Sequence, residues 1–203
     1  MKKIYLDYAA TTPLDKRVLR AMLPYFSEKF GNSMSLHGFG QEAKLALEKS
    51  REEVASLISA EPGEIIFTGS ATESNNLALK GVAFGNKGKG KHIIISPIEH
   101  PCVAESAEWL TKQGFSIDKL SVDKYGLVSP KDLENKIRKD TILVSVIHAS
   151  NEIGTIQPIK EIGRICRKRG VLFHTDAVQS FGKIPIDVNS MNIDLLTASS
   201  HKM

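Results

Sequence analysis

Cysteine is scarce: the 203-residue chain has two, Cys102 and Cys166. Two thiols are too few for a disulfide framework, and they lack metal-ligand spacing. A thiol-bearing cytosolic protein is the natural expectation. Also lacking is any apolar run long enough to span a bilayer. After Met1-Lys2-Lys3 only two of the next five residues, Ile4 and Leu6, are aliphatic, so there is no signal-peptide core. No basic run stands out. The 27 Lys and Arg and the 23 Asp and Glu are interleaved and leave a net charge of +4, which points away from nucleic-acid and membrane partners. Internal repeats are missing as well. What is present is ordinary globular composition, 41% hydrophobic and 25% charged, which argues against intrinsic disorder. The length suffices to bury a sizeable core.

Short apolar runs bounded by turn residues alternate with longer amphipathic stretches. Strands are predicted at Ile65–Phe67, His92–Ser96, Phe115–Val122, Ile142–Ile147, Val171–His174 and Leu195–Ala198. The Ile142–Ile147 run is almost wholly apolar and β-branched, as expected of a strand buried on both faces. Helices are predicted over Gln41–Ser59, from Thr72 through Leu77, Leu79 and Val82, over Cys102–Lys112, over Pro130–Lys139 with proline in its first turn, and over Pro158–Arg169 with Gly170 as the stop signal. Strand–helix alternation at this spacing predicts an α/β fold with a mostly parallel sheet and helices on both faces.

In open parallel sheets, ligands bind outside the carboxyl ends of the strands. The polar residues collect there. The predicted strands run into Thr68-Gly69-Ser70-Ala71-Thr72-Glu73, Ser96-Pro97-Ile98-Glu99-His100, His148-Ala149-Ser150-Asn151-Glu152, His174-Thr175-Asp176-Ala177-Val178-Gln179 and Ser199-Ser200-His201-Lys202. Each piece alone has a plain reading. Thr72 is an N-cap or part of an anion site at a helix N-terminus. His100 is a packed histidine or a catalyst. Asp176 is a turn residue or a functional carboxylate, and Lys202 is a solvated lysine or an amine nucleophile. A metal cluster of His148, His174 and His201 is conceivable, but no carboxylate or cysteine completes a familiar ligand set, so no metal is expected.

Together the groups are the complement that pyridoxal 5'-phosphate needs. A lysine amine condenses with the cofactor's aldehyde, and a carboxylate beside the pyridine nitrogen keeps that nitrogen protonated and the ring electron-withdrawing. Asp176 is the candidate carboxylate, and Lys202 the amine and a later proton carrier. His100 is the imidazole that stacks on the ring and moves protons.

The motifs Tyr5-Leu6-Asp7-Tyr8-Ala9-Ala10-Thr11-Thr12-Pro13, Phe30-Gly31-Asn32, Ala71-Thr72-Glu73-Ser74-Asn75-Asn76-Leu77, Glu99-His100, Ile142-Leu143-Val144-Ser145, Asn151-Glu152-Ile153-Gly154, His174-Thr175-Asp176-Ala177-Val178-Gln179 and Ser199-Ser200-His201-Lys202 resemble those of the cysteine desulfurases of the iron–sulfur-cluster and nitrogen-fixation type (NifS/IscS-like). These enzymes lie within the class V aminotransferase superfamily. The resemblance spans essentially the whole chain, and the order and spacing of the motifs make it specific.

It implies a fold-type I pyridoxal-phosphate-dependent transferase large domain. Lys202 would be the Schiff-base lysine, Asp176 the partner of the pyridine nitrogen and His100 the stacking residue. Asn151 and Gln179 would serve the ring hydroxyl and its surroundings, with Asn151 also near the substrate. Ala71, Thr72, Ser199, Ser200 and His201 would cradle the phosphate. The implied reaction takes sulfur from L-cysteine to give L-alanine and a persulfide on an enzyme cysteine. It serves iron–sulfur cluster or thio-cofactor assembly through a sulfur-acceptor scaffold protein, in a cytoplasmic homodimer.

The resemblance also implies a longer protein. Family members continue past the lysine with a late antiparallel sheet strand, between the Ile65–Phe67 and Leu195–Ala198 strands, and with a small C-terminal domain. That half holds the mobile sulfur-accepting cysteine and the substrate-binding arginine. Neither Cys102 nor Cys166 matches the nucleophile, and both are expected to be core thiols. The expected organisation is therefore an N-terminal segment over 1–15 and an incomplete cofactor-binding domain over 16–203, inactive by itself. Alternatives are another class V enzyme, such as a selenocysteine lyase or an aminotransferase, or a non-catalytic chain that binds cofactor or a partner.

Overall fold

A computed structural model describes residues 3–203. The chain divides into two compact units, one ending at Phe67 and the other spanning Thr68–Met203. In the first unit the described elements are helical. They are α1 (Lys16–Met22), capped by the Asp15 side chain, then α2 (Pro24–Ser27) and α3 (Gly38–Ser56), followed by a short 3-10 turn at Pro62–Glu64. Helix α3 starts earlier than the apolar pattern implied, because the His37 imidazole accepts from the Gly40 N–H and caps it. It ends at Ser56, short of Ser59, which takes a left-handed φ of 59°.

The second unit is built on five parallel strands in the order β2-β1-β3-β4-β5. They are β1 (His92–Ile95), β2 (Ser116–Lys119), β3 (Thr141–Ser145), β4 (Leu172–Asp176) and β5 (Leu195–Thr197). Strand alternation sorts the core onto two faces. Ile93, Ile95 and Leu143 pack with Leu79, Val103 and Leu110 from α4 (Ala71–Gly85) and α5 (Pro101–Lys112). Ile94, Val144 and Phe173 pack with Leu133, Ile162 and Cys166 from α6 (Pro130–Lys136) and α7 (Ile159–Arg169). Both faces are covered, which is why β1 and β3 are buried at every position. Gly170 ends α7 in the left-handed conformation at φ 67°, as its place in the sequence predicts.

Several boundaries differ from the sequence expectation. Residues 65–67 form no strand, and Ile66 is 70% and Phe67 49% exposed. A strand needs a neighbour to satisfy its backbone, and among the described residues none pairs with this segment. Strand β2 covers only Ser116–Lys119 of the expected 115–122, because the chain turns through Asp123–Leu127 and closes a single Val122–Val128 bridge. Helix α6 stops at Lys136, since Ile137 is already extended at ψ 122°. Helix α4 is capped by Ser70, whose Oγ accepts from Glu73 N at 3.1 Å. Thr72 is not the cap and lies inside the first turn.

Candidate active site

All five strands are parallel, so their carboxyl ends lie along one edge of the sheet. The strand order reverses between β1 and β3, and at such a reversal the connections leave in opposite directions and open a crevice. The segment after β1 carries Glu99 and His100, and the segment after β3 carries Ile147 and His148. Glu99 bridges the two. Its Oε1 accepts from Ser96 Oγ and from the Ile147 N–H, both at 2.6 Å. Its Oε2 is buried with no hydrogen-bond partner. Burial, with the nearby Asp176 charge adding to it, pushes the Glu99 carboxyl up to about 8. Glu99 is accordingly a neutral acid at neutral pH.

Asp176 ends β4 and is 3% exposed. Its Oδ1 accepts from Val178 N at 3.0 Å, a turn contact of the kind its sequence context predicts. Its Oδ2 accepts from Asn75 Nδ2 at 2.8 Å. Burial raises the Asp176 pKa, while the Val178 N–H, the Asn75 amide, His100 and Lys202 pull it back down. The sheet thus brings His100 and Lys202 within electrostatic reach of Asp176, although the three lie far apart in sequence. His100 also caps α5, its Nδ1 accepting from Cys102 N at 3.2 Å. Lys202 is half-buried in the short 3-10 turn Ser200–Lys202 beyond β5.

The other expected residues are placed as follows. Ala71 and Thr72 form the first turn of α4, where N–H groups have no acceptor within the helix. Ser199 is half-buried, and Ser200 and His201 are exposed, just past β5, against which α4 packs. Asn151 sits in the turn after β3 and donates to Glu152 Oε1 at 2.6 Å. Gln179 lies half-buried three residues past Asp176.

His174 is built into the sheet. Its Nδ1 pairs with Ser145 Oγ at 2.8 Å and its Nε2 with Thr197 Oγ1 at 3.2 Å, tying β3, β4 and β5 together. Burial lowers its pKa to about 4, so it is neutral. His148 is buried and its Nδ1 has no partner. Among the described residues no group of three His, Cys, Asp or Glu could hold a metal ion.

Sequence reasoning gave no role to Asn75 or Glu99. Asn75 had a readable signal: it shares a helical stripe with Leu79, Val82 and Ala83, a polar residue on an otherwise buried apolar face. Cys102 and Cys166 are both buried, as expected of core thiols, but Cys102 has polar neighbours too. Its sulfur is 3.1 Å from Asn75 Nδ2 and 3.0 Å from His100 Nδ1.

The donor set fits pyridoxal phosphate. Among the described residues, the Asp176 oxygens are met by an amide and a backbone N–H and by no cation at salt-bridge distance, which suits a carboxylate that receives a ring N–H. A helix N-terminus with Ala71 and Thr72 in its first turn suits a phosphate.

The Aminotransferase class-V family model matches residues 4–203. Over 201 residues the chain is 54% identical to a protein named cysteine desulfurase IscS from Dictyoglomus turgidum, covering 99% of this chain and 51% of that one. Among solved structures, SspA in complex with cysteine matches with a TM-score of 0.94 at 44% identity, over 98% of this chain and 57% of that one. A NifS-like protein matches with a TM-score of 0.96 at 43% identity, over 99% and 56%. The chain spans about half the length of the curated relatives it matches. On these matches it belongs to the class-V aminotransferase family, and its relatives there carry the names of cysteine desulfurases of the IscS and NifS-like kind.

Proposed function

We propose that this chain supplies the cofactor-binding part of a pyridoxal-phosphate-dependent cysteine desulfurase. The observation that carries the reading is the buried Asp176 carboxylate at the end of β4, with Lys202 and His100 within electrostatic reach. When bound, the cofactor supplies an electron-withdrawing ring that stabilises negative charge at the substrate's α-carbon. Lys202 would hold it covalently and, when free, would carry protons. Asp176 would hold the pyridine N–H, its negative charge keeping that proton in place. His100 would stack on the ring and move protons. Ala71, Thr72, Ser199, Ser200 and His201 would hold the phosphate, and Asn151 and Gln179 would serve the ring hydroxyl and its surroundings, with Asn151 also near the substrate.

The net change is L-cysteine plus a thiol giving L-alanine plus a persulfide. The C–S bond breaks, an S–S bond forms, and the thiol's proton ends on the alanine carbon. Neither cysteine of this chain suits the accepting thiol. Both are buried, and burial raises both thiols, Cys166 to about 12, where the reactive thiolate is negligible. The accepting cysteine and the arginine for the substrate carboxylate belong, on this reading, to a further part of the protein, which acts as a homodimer and passes sulfur to a scaffold protein. A cytoplasmic setting suits the two unpaired thiols. Among the described residues no helix is long and apolar enough to cross a membrane.

The test is borohydride reduction of the protein loaded with pyridoxal 5'-phosphate, followed by peptide mass mapping and a sulfide assay with L-cysteine. The expected result is one pyridoxyl group on Lys202 and sulfide above the free-cofactor background in the full-length protein. A label confined to other lysines, or none, overturns the reading.

A further inference from the structure

Asn75 is fully buried on the side of α4 that carries Leu79, Val82 and Ala83. An amide in such surroundings is costly unless its hydrogen bonds to water are replaced. Its nitrogen replaces them with two acceptors, Asp176 Oδ2 at 2.8 Å and Cys102 Sγ at 3.1 Å. Its Oδ1 is buried with no partner. Turning the amide over would place that oxygen against the carboxylate, so Asp176 dictates the orientation.

Cys102 carries the arrangement onward. Its sulfur lies 3.0 Å from His100 Nδ1, and the same Nδ1 accepts the backbone N–H of Cys102. A ring nitrogen that accepts a backbone N–H bears no proton of its own, so the neutral imidazole carries its proton on Nε2. The thiol hydrogen then shares the Nδ1 lone pair with the Cys102 N–H, while the sulfur accepts from Asn75.

We propose that Asn75 is a positioning residue that couples the two cofactor-facing groups, holding Asp176 directly and His100 through the Cys102 thiol, so that carboxylate and imidazole are set as one unit. This rests on the reading of Asp176 and His100 as cofactor partners. The other charged or titratable groups near the unit are Lys202, which lowers the Asp176 pKa, and Glu99, which is itself raised in part by Asp176.

The test uses the full-length protein loaded with pyridoxal 5'-phosphate and two readouts: the rate of cofactor release, and the 15N resonances of the His100 ring. Asn75→Leu keeps the volume and removes both donors. It is expected to release cofactor about tenfold faster, the loss of one hydrogen bond to a charged group, and to shift the His100 Nδ1 resonance. Cys102→Ser retains a donor and an acceptor and keeps His100 near its wild-type signal, whereas Cys102→Ala shifts it. In the Cys102→Ala background, Asn75→Leu should still speed release but no longer move His100.

An Asn75→Leu protein that holds cofactor as the wild type does, or that moves His100 equally with and without the thiol, overturns the proposal. If Asn75→Leu does not fold, Asn75→Ser, too short to reach both partners, is expected to give the same two changes and is judged by the same criteria. Wild-type protein that binds no pyridoxal phosphate would fail the functional reading instead. The His100 comparison needs no cofactor and would then decide the coupling alone.

Discussion

The two units of this chain spend their apolar residues differently. In the unit beginning at Thr68, alternating strand residues and one stripe of each helix meet in two clusters, and Phe173, Leu143, Ile94 and Leu79 are fully buried. In the unit ending at Phe67, the buried residues among those described are Gly40, Ala55 and Ile58. There Leu36 is 92%, Met34 85% and Leu45 73% exposed. Helix α3 is amphipathic in sequence, yet most of its apolar stripe finds no cover within the described residues. An apolar stripe states that a face seeks burial. It does not state that the same stretch of chain supplies the cover.

The sharpest way to break this contrast is paired truncation. Phe173→Ala should cost about 3–5 kcal/mol, because it leaves a cavity between β4 and α7. Leu36→Ala should stay within about 0.5 kcal/mol. Denaturant midpoints of the two variants decide it, and equal losses would mean that Leu36 is covered in the working protein. Next in size is chemistry. On the proposed function, Asp176→Asn removes the buried charge that would retain the ring proton, and in the full-length protein it should lower cysteine turnover about a hundredfold or more, with sulfide release as the measure. Glu53→Gln, on exposed α3, should leave turnover unchanged.

Acid–base behaviour sharpens the comparison, because the two units carry opposite signs. The Glu99 carboxyl sits at about 8 in the fold, against an ordinary value of 4.5. Between those values the unfolded chain ionises and the folded one does not. The stability linked to Glu99 is therefore fully present below pH 4.5 and lost as pH rises toward 8. Glu99→Gln should flatten that decline in melting temperature measured against pH. Asp15, exposed at the start of α1, is lowered to about 2 by its hydrogen bonds with Arg17. Its contribution is present above pH 3.8 and lost as pH falls toward 2, so Asp15→Asn should lower stability slightly above pH 3.8 and remove the change between pH 3.8 and 2. A modest loss is expected at the α4 cap: Ser70→Ala removes the acceptor for Glu73 N and should cost about 1 kcal/mol.

Much of the second unit was legible beforehand. Five of the six expected strands form, with helices between them, because short apolar runs and the Pro and Gly punctuation act within a few residues of chain. The failure at 65–67 has the opposite origin. Its apolar character matches a strand, but a strand exists only with a neighbour, and pairing is a property of distant chain. The site divides in the same way. Asp176, His100 and Lys202 stand at strand ends, where any parallel sheet gathers ligands, so residue type and position sufficed to single them out. Asn75 and Glu99 act through contacts that span long stretches of sequence, Asn75 with Asp176 and Glu99 with Ile147, and no local pattern encodes such a contact.

Sequence by itself determined the alternation of elements and the edge at which polar groups collect, and it singled out the groups proposed to serve pyridoxal phosphate, because each follows from residue chemistry and short-range spacing. Only the tertiary structure decided that residues 65–67 find no strand partner among the described residues, that Ser70 and not Thr72 caps α4, that Glu99 bridges the segments after β1 and β3 with its carboxyl pushed up by burial, and that Asn75 lies between Asp176 and Cys102. Those outcomes depend on which side chains are buried against which, and burial sets both the cost of an unmet polar group and the protonation of a met one.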